Sequence, residues 1–356
     1  MKTWNKTLAV FTLCGLGLVG CTSSGDAPQA EGDQASITLT NCGQEVTYPG
    51  EAKKMLVNDG NIMSLVLAAG AIDAVTAVSS MQRDLDILQA AYGDAIASKE
   101  EIAEKYPTLE EIVASQADVY VAGWGYGLSE DKGITPERLA EYDIATYVLS
   151  ESCRQQDGEG RGVINPYDAV REDLHNIGLL TGNEKEAKEA VQRFDKRLDT
   201  LEAAPEATKE PVVLVFDSGT DTVFTSGRWG APQGIIEAAG AKNAMEGVED
   251  TWVSVNWEAI AEQQPDAIAF VDYPGQTLEE KVELLRSHPV TKDLPAVKEN
   301  RFINLPYAMW CESPLNVDAA EHVRKALEYF KLVPESTIAP ELALPDSVPG
   351  QEYTRG

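Results

Sequence analysis

Apolar and charged residues alternate with a helical period along the middle of the chain. Apolar side chains recur there at steps of three and four residues, at Ala187, Ala190, Val191, Phe194, Leu198 and Leu201. Charged side chains occupy the opposite face, which is the pattern of an amphipathic helix. A shorter helix before it is marked by Tyr167, Val170, Leu174 and Ile177 and ends between residues 178 and 182, where glycines stand. Residues 164–204 are therefore predicted to form a helical linker.

Short apolar runs alternate with helical segments on both sides of this linker. They occupy residues 55–57, 75–78, 119–122 and 146–149 before it, and residues 212–216, 267–271 and 302–305 after it. Strands that alternate with helices form parallel sheets with right-handed crossovers. An opening strand pair, residues 36–40 and 45–48, reverses at the turn sequence Asn41-Cys42-Gly43. The predicted fold class is α/β.

A weak internal repeat relates the two halves of the chain. Residues 109–118 align with residues 257–266, and both segments run into a buried strand. The alignment pairs Glu110 with Glu258, Ile112 with Ile260, Gln116 with Gln264 and Asp118 with Asp266. A second, shorter repeat relates residues 68–71 to residues 238–241, and the two repeats occur in the same order in each half. Helix-strand units of any α/β protein look alike, but two repeats in the same order favour two Rossmann-like lobes of similar plan.

The predicted organisation is a first lobe at residues 36–163, the linker as a long helical spine at residues 164–204, and a second lobe at residues 205–330. About 300 ordered residues exceed one typical core, which agrees with two lobes. Residues 331–356 contain four prolines, at Pro334, Pro340, Pro345 and Pro349. This tail is expected to be extended on the surface or disordered.

The first 20 residues have the pattern of an export signal. Lys2 and Lys6 precede a short apolar core that is too short for a permanent membrane span. Leu18-Val19-Gly20-Cys21 then resembles a bacterial lipobox, in which the cysteine receives a lipid. Residues 21–35 are polar and predict a flexible tether. We therefore expect a domain in the cell envelope, held by Cys21 at the extracytoplasmic face of a membrane; the alternative is an ordinary secretory signal with a chance cysteine.

The strong negative charge of the chain argues against polyanionic partners. The formal net charge is −29, and it becomes −31 without residues 1–20, which contain two lysines and no acid. Such a surface repels nucleic acid and anionic lipid headgroups.

Three cysteines remain in the mature domain after Cys14 leaves with the signal and Cys21 is lipidated. Outside the cytoplasm two of them are expected to pair. We favour Cys42 with Cys153, since both fall in the first lobe. Cys311 would then be a free thiol, more often inert and buried than a ligand contact.

Large aromatic residues follow the strands of both lobes. They are Trp124, Tyr126, Trp229, Tyr273, Tyr307 and Trp310. Open parallel sheets bind ligands beyond the carboxyl ends of their strands. A single aromatic at such a position could simply pack the lobe interface, but six of them favour a ligand cleft between the lobes.

At this point the chain resembles the class III solute-binding proteins of ABC importers, which bind ferric siderophores, haem or cobalamin. The resemblance rests on the lipobox, the lobe-helix-lobe order, the two repeated segments, Gly230-Ala231-Pro232-Gln233 and the run from His288-Pro289 to Phe302. It implies an ABC permease and its ATPase as partners, limited hinge motion and a monomer. It also implies that Glu110 and Glu258 dock the permease; both could instead be ordinary acids in first helical turns.

The cargo is less constrained by the sequence. An anionic ferric siderophore would use arginines among aromatic walls, and Arg83, Arg154 and Arg228 lie in suitable loops. Haem or a corrinoid would use the flat aromatic faces. Residues 230–252 also resemble relatives that carry deazaflavin precursors. We expect an iron chelate.

Catalysis, a cofactor and a bare metal ion are not expected. The chain has no Gly-x-Ser-x-Gly elbow, phosphate loop or His-Glu-x-x-His motif. Asp217-Ser218-Gly219 could be imagined as a nucleophile loop, but none of the three histidines, His175, His288 and His322, lies in a partner motif. A lipid-anchored hydrolase is the remaining enzyme alternative.

Overall fold

The structure is a computed structural model that describes residues 35–355 except residues 157 and 159. The predicted signal peptide, the lipidation site Cys21 and nearly all of the predicted tether lie outside the described residues. Within the described part, no helix combines the length and the apolar character that a membrane crossing requires. The described residues form one compact unit. Its fold class is α/β, as predicted.

An antiparallel hairpin opens this unit, formed by β1 (Ile37–Asn41) and β2 (Gln44–Tyr48). Its turn residues Cys42 and Gly43 have φ values of 51° and 72°, which suit a two-residue hairpin turn. The side chain of Asn41 donates to the carbonyl of Val148 at 2.7 Å and accepts from its N–H at 2.9 Å. This pair of bonds docks the hairpin on the first sheet and brings Cys42 to Cys153.

The first lobe contains a six-stranded parallel sheet. Its strands are β3 (Met55–Asn58), β4 (Val75–Ser79), β5 (Glu100–Ala103), β6 (Val119–Trp124), β7 (Gly127–Leu128) and β8 (Ala145–Val148). Its helices are α1 (Gly60–Ala68), α2 (Leu85–Tyr92), α3 (Leu109–Ala114) and α4 (Pro136–Ala140). The strand order is β5-β4-β3-β6, and β6 also pairs with β7 and β8. The order reverses between β3 and β6, the kind of point at which parallel sheets bind ligands.

Two helices link the lobes, as the apolar spacing predicts. They are α5 (Pro166–Thr181) and α6 (Glu184–Glu202). Gly182 ends α5 in the left-handed conformation, with φ of 71°. The buried residues of α6 are Ala187, Ala190, Phe194, Leu198 and Leu201, and Val191 is half-buried beside them.

The second lobe contains a four-stranded parallel sheet and an antiparallel strand pair. Its strands are β9 (Val212–Phe216), β10 (Val223–Ser226), β11 (Lys242–Asn243), β12 (Trp252–Val255), β13 (Ala267–Asp272) and β14 (Phe302–Pro306). Its helices are α7 (Ala231–Ala238), α8 (Trp257–Gln263), α9 (Leu278–Ser287), α10 (Pro295–Lys298), α11 (Tyr307–Trp310) and α12 (Asn316–Tyr329). The parallel order is β11-β9-β13-β14, and β10 pairs with β12. The apolar runs do not predict this second pairing.

The internal repeat has a structural counterpart in each lobe. Helices α3 and α8 begin after N-caps with the same φ and ψ, −79° and 163°, and both are followed by a glutamine in the left-handed region, Gln116 and Gln264. The next aspartate then accepts a hydrogen bond from a backbone N–H at the start of a neighbouring strand: Asp118 from Lys53, just before β3, and Asp266 from Val212, the first residue of β9. The repeat therefore sets the same helix-to-strand connection twice.

The largest apolar cluster is continuous across both lobes. It runs from Val57 and Val121 in the first sheet, through Leu174 of α5, to Val215 and Ile303 in the second sheet. Wide separation of the lobes would expose this apolar surface to water.

The C-terminal tail is extended along the surface and anchored by buried side chains. Val333, Ile338, Val348 and Tyr353 are each less than 10% exposed. Gln351 donates to the carbonyl of Asn304 on β14 at 2.9 Å. Of the two states expected for this tail, the structure shows the ordered one.

Candidate ligand cleft

A cavity of about 260 Å³ lies where strand ends of the two lobes meet. Six aromatic side chains line it, namely Tyr106, Tyr126, Phe224, Trp252, Tyr273 and Tyr307. Its polar lining comes from Arg161, Asp217, Ser218 and Cys311. Larger grooves of about 680, 640 and 770 Å³ lie against α9 with β14, under the C-terminal tail, and between α6 and that tail, and none of these three is lined by residues of both lobes. A groove of about 440 Å³ does contact both lobes, but it lies along α6 and not at the carboxyl ends of the strands, where parallel sheets bind ligands. The inter-lobe cavity is therefore the candidate site.

Three of the predicted aromatic residues line this cavity: Tyr126, Tyr273 and Tyr307. The predicted Arg83 stands behind two of them, with its guanidinium 4.2 Å from the ring centroid of Tyr307 and 5.3 Å from that of Tyr273. Two aspartates of the first lobe already pair with it, Asp59 and, at 3.4 Å, Asp84. Arg83 therefore supports the wall of the cleft, and its charge is largely compensated.

Trp310 does not line the cavity, although it follows a strand as the cleft prediction requires. Its side chain is fully buried in the apolar core, and its indole N–H donates to the carbonyl of Phe270 at 3.1 Å. Residues 307–310 form the short helix α11, which turns the indole inward. The expectation of a ligand contact at Trp310 has no support from its position.

Two predicted arginines each cover a predicted tryptophan beside the cavity. The guanidinium of Arg154 lies 3.6 Å from the centroid of Trp124 and pairs with Glu130. Arg228 lies 5.3 Å from the centroid of Trp229 and pairs with Glu249 at 2.9 Å. None of these four predicted site residues is among those that line the cavity.

Arg161 is a site residue that the sequence interpretation missed. Its Nη1 donates to the carbonyl of Trp124 at 3.0 Å, and its Nη2 donates to the carbonyl of Trp252 at 3.2 Å. One guanidinium thus joins the first lobe to the second beside the cavity. Its place in a glycine-rich loop at the end of the first lobe was the available signal.

Two buried glutamates from opposite lobes lie behind the cavity lining, where Glu151 contacts the lining residues Tyr126 and Trp252. The N–H of Glu151 donates to Oε2 of Glu312 at 2.6 Å, and the N–H of Glu312 donates to Oε2 of Glu151 at 2.7 Å. Burial raises the pKa of Glu151 to about 7, although the Glu312 N–H and Arg161 oppose the shift. Burial, with the charges of Asp173 and Glu151, raises the pKa of Glu312 well above its ordinary value.

The phenols of the cleft act as neutral hydrogen-bonding groups. Burial raises the pKa of Tyr106, Tyr126 and Tyr307 above the ordinary value of a tyrosine. Burial also raises the pKa of the Cys311 thiol, the free cysteine of the described chain. These groups are therefore suited to hydrogen bonds and apolar contacts rather than to binding a metal as anions.

Catalytic and metal-binding constellations are not found at the cleft within the described residues. Ser218 Oγ donates to Asp217 at 2.6 Å, but the described lining contains no histidine to act as a base for it. No cluster of three metal-ligating side chains in the described chain is arranged to hold an ion. The arrangement can enclose a ligand between aromatic walls.

The other predicted site residues within the described chain are not among those that line the cavity. Cys42 and Cys153 form a disulfide with their Cα atoms 5.3 Å apart. Glu110 and Glu258 are exposed at the same position of the first turn, in α3 and α8 respectively. They present matching carboxylates, one on each lobe.

Comparison with known proteins adds to this geometry. The family model described as periplasmic binding protein matches residues 59–308. No curated protein sequence matches the chain. A solved periplasmic binding protein from Veillonella parvula is 19% identical, with a TM-score of 0.68 over 83% of this chain and 98% of that chain.

Two further solved structures share the fold. A protein of an ABC-type Fe³⁺-hydroxamate transport system from Saccharomonospora viridis is 21% identical, with a TM-score of 0.68 over 82% of this chain and 98% of that one. A periplasmic heme binding protein from Pseudomonas aeruginosa is 16% identical, with a TM-score of 0.59 over 80% and 96% of the two chains. The family match over residues 59–308, on a fold with an inter-lobe cleft, shows that this chain belongs to the periplasmic binding protein family.

Proposed function

We propose that this protein is an extracytoplasmic, lipid-anchored binding protein that delivers an iron chelate, a ferric siderophore or haem, to an ABC importer. The inter-lobe cavity carries the proposal, because six aromatic side chains and the guanidinium of Arg161 line it together. Aromatic faces suit the flat parts of such chelates, and a cation suits their negative charge. Solved proteins of the same fold include one from a Fe³⁺-hydroxamate transport system and one that binds heme.

The size of the cavity bears on the cargo. Its volume of about 260 Å³ lies just below the roughly 300–1,000 Å³ of most small-molecule sites. A chelate therefore requires either some opening of the lobes or a part of its body left at the mouth. This volume favours a flat, smaller deazaflavin precursor as the second candidate. A corrinoid requires the largest opening.

Transfer of the cargo would use the two matching carboxylates. Glu110 and Glu258 stand on α3 and α8 in equivalent, exposed positions. Basic pockets of an ABC permease would receive one carboxylate from each lobe, and the ATPase would drive transport. Cys21 would hold a monomer at the membrane beside that permease. The charge reversals Glu110→Lys and Glu258→Lys should abolish uptake by cells while leaving cargo binding unchanged; a loss of binding would contradict the docking role.

Quenching of tryptophan fluorescence tests the cargo. The protein that begins at residue 22 would be titrated with ferric hydroxamates, ferric catecholates, haemin, cyanocobalamin and a deazaflavin. We expect saturable quenching by one iron chelate at submicromolar concentration, because Trp252 lines the cavity. Trp252→Phe should lose most of the quenching and Trp257→Phe should retain it, since Trp257 is buried in a separate apolar cluster. Flat titrations with both iron chelates and haemin would overturn the iron assignment.

A further inference from the structure

One carboxyl oxygen of the protein accepts a hydrogen bond from an aromatic side chain of each lobe. Oε1 of Glu151 accepts a hydrogen bond from the hydroxyl of Tyr126 and another from the indole N–H of Trp252, both at 3.2 Å. Tyr126 belongs to the first lobe and Trp252 to the second, and both line the cavity. Glu151 is 1% exposed. Its carboxyl thus sets the position of one wall relative to the other.

The other lobe completes the environment of this carboxyl. Oε2 of Glu151 accepts the N–H of Glu312, whose own Oε2 accepts the N–H of Glu151. The amide of Asn61 in the first lobe also donates to the carbonyl of Glu312 at 3.1 Å. Three hydrogen bonds therefore cross between the lobes at residue 312. Parting the lobes breaks all three and admits water to both carboxyls.

The charges around this pair are unbalanced. The other titratable groups that face the pair are Arg161, Tyr126 and Cys311 beside Glu151, and Asp173 beside Glu312. Tyr126 and Cys311 are neutral, because burial raises the pKa of each. One guanidinium thus faces three buried carboxyls, and full ionisation would leave uncompensated negative charge in the interior. When the lobes are closed, the buried carboxyls therefore keep protons that they would lose on exposure to water.

We propose that Glu151 is a positioning residue for the cleft and that closure of the lobes takes up a proton from solvent onto the Glu151–Glu312 pair. Opening releases that proton to solvent as the carboxyls become hydrated, so no other reactant is needed. The cleft then closes more readily in acid and opens more readily above neutrality. This inference depends on the proposed function only in treating the cavity as the ligand site.

The expected size follows from linkage. Burial raises the pKa of Glu151 from 4.5 to about 7 in the closed state. For Glu151 alone, the ratio of closed to open protein falls about tenfold for each unit of rising pH between these values, up to roughly 300-fold. A cargo with no titrating group would be held more weakly as the pH rises through this range.

Inter-lobe distances measured without ligand test the proposal. Spin labels at Glu137→Cys on α4 and Glu283→Cys on α9 would report on the two lobes, since both positions are exposed. The protein should show a short-distance population that grows as the pH falls from 8 to 5. The double variant Glu151→Gln/Glu312→Gln should remove most of this pH dependence, because both proton sites of the pair are lost. Glu172→Gln, a neighbouring carboxyl on α5 outside the cluster, should behave like the parent protein.

The outcomes separate this inference from the proposed function. A distribution that does not change with pH in the parent protein would overturn the inference, whatever the variants do. A pH dependence that survives undiminished in the double variant, or that Glu172→Gln also removes, would overturn it as well. If the double variant fails to fold, Glu151→Gln and Glu312→Gln should each show a weaker pH dependence than the parent protein, and an undiminished dependence in both would overturn the inference. Because no cargo is present, a failed cargo assignment leaves this result unaffected.

Discussion

Arg161→Ala is the sharpest single test of how the lobes are joined. The substitution removes two hydrogen bonds from a charged donor, one to a carbonyl of each lobe, at 3.0 and 3.2 Å. Hydrogen bonds to charged groups contribute about 1.5–3 kcal/mol each, and the lower end applies because Arg161 is only partly buried. We therefore expect the free energy of unfolding to fall by about 3 kcal/mol. The substitution also removes the cation that faces Glu151, so the pKa of Glu151 should rise further.

Arg154→Ala is the matched control for this experiment. Arg154 belongs to the same loop and also contacts Trp124, but among the described residues its ion pair is with Glu130 of the first lobe, and that pair is largely exposed. Exposed ion pairs and cation–π contacts each contribute about 1 kcal/mol or less. Urea unfolding followed by tryptophan fluorescence would measure both variants, and cargo titration would measure binding.

The two variants should differ in both assays. Arg161→Ala should weaken cargo binding by at least tenfold, and Arg154→Ala should leave it within about twofold. Equal losses of stability and affinity in the two variants would refute the reasoning, because Arg161 would then have no special role between the lobes.

Further predictions concern the core, the disulfide and pH. Trp310→Ala should lower the free energy of unfolding by about 3–5 kcal/mol in urea unfolding, because the indole is buried in the core. A variant of unchanged stability with weakened cargo binding would instead show that Trp310 contacts the ligand. Reducing the Cys42–Cys153 disulfide, which closes a loop of 111 residues, should cost about 5 kcal/mol by the loop-entropy estimate, and the double serine variant should unfold at the urea midpoint of the reduced protein. Burial raises the pKa of Asp84 from 3.8 to about 6, so the folded state binds the proton more tightly and stability falls by roughly 3 kcal/mol as the pH rises from 4 to 6. Asp84→Asn should flatten that part of the pH profile, and an unchanged profile would contradict the assignment.

The spacing of apolar residues predicts those helices and strands that depend mainly on neighbouring residues. The three- and four-residue spacing predicts α6, and the short apolar runs predict the main parallel strands of both sheets. The aligned Gln116 and Gln264 both adopt positive φ and end equivalent helices. Such features follow from periodicity and turn chemistry, which neighbouring residues determine.

The composition of the site depends on long-range packing, which the sequence pattern does not contain. A position after a strand predicts the cleft for Tyr126 but not the burial of Trp310, because a single helical turn decides where the indole points. Trp252 lies on β12, whose pairing with β10 is not evident from the apolar runs. Glu151 and Glu312 are 161 residues apart in sequence, so their reciprocal hydrogen bonds are visible only in the fold.

Cargo is expected to bind between the lobes against Trp252, which lines the cavity. The protein that begins at residue 22 retains five of the six tryptophans, so labelling with 5-fluorotryptophan gives five ¹⁹F resonances, assigned by single phenylalanine substitutions. On addition of the iron chelate that quenches fluorescence, the account predicts a shifted Trp252 resonance and unmoved Trp257 and Trp310 resonances. A saturable ligand that shifts Trp257 or Trp310 and leaves Trp252 in place would contradict the account.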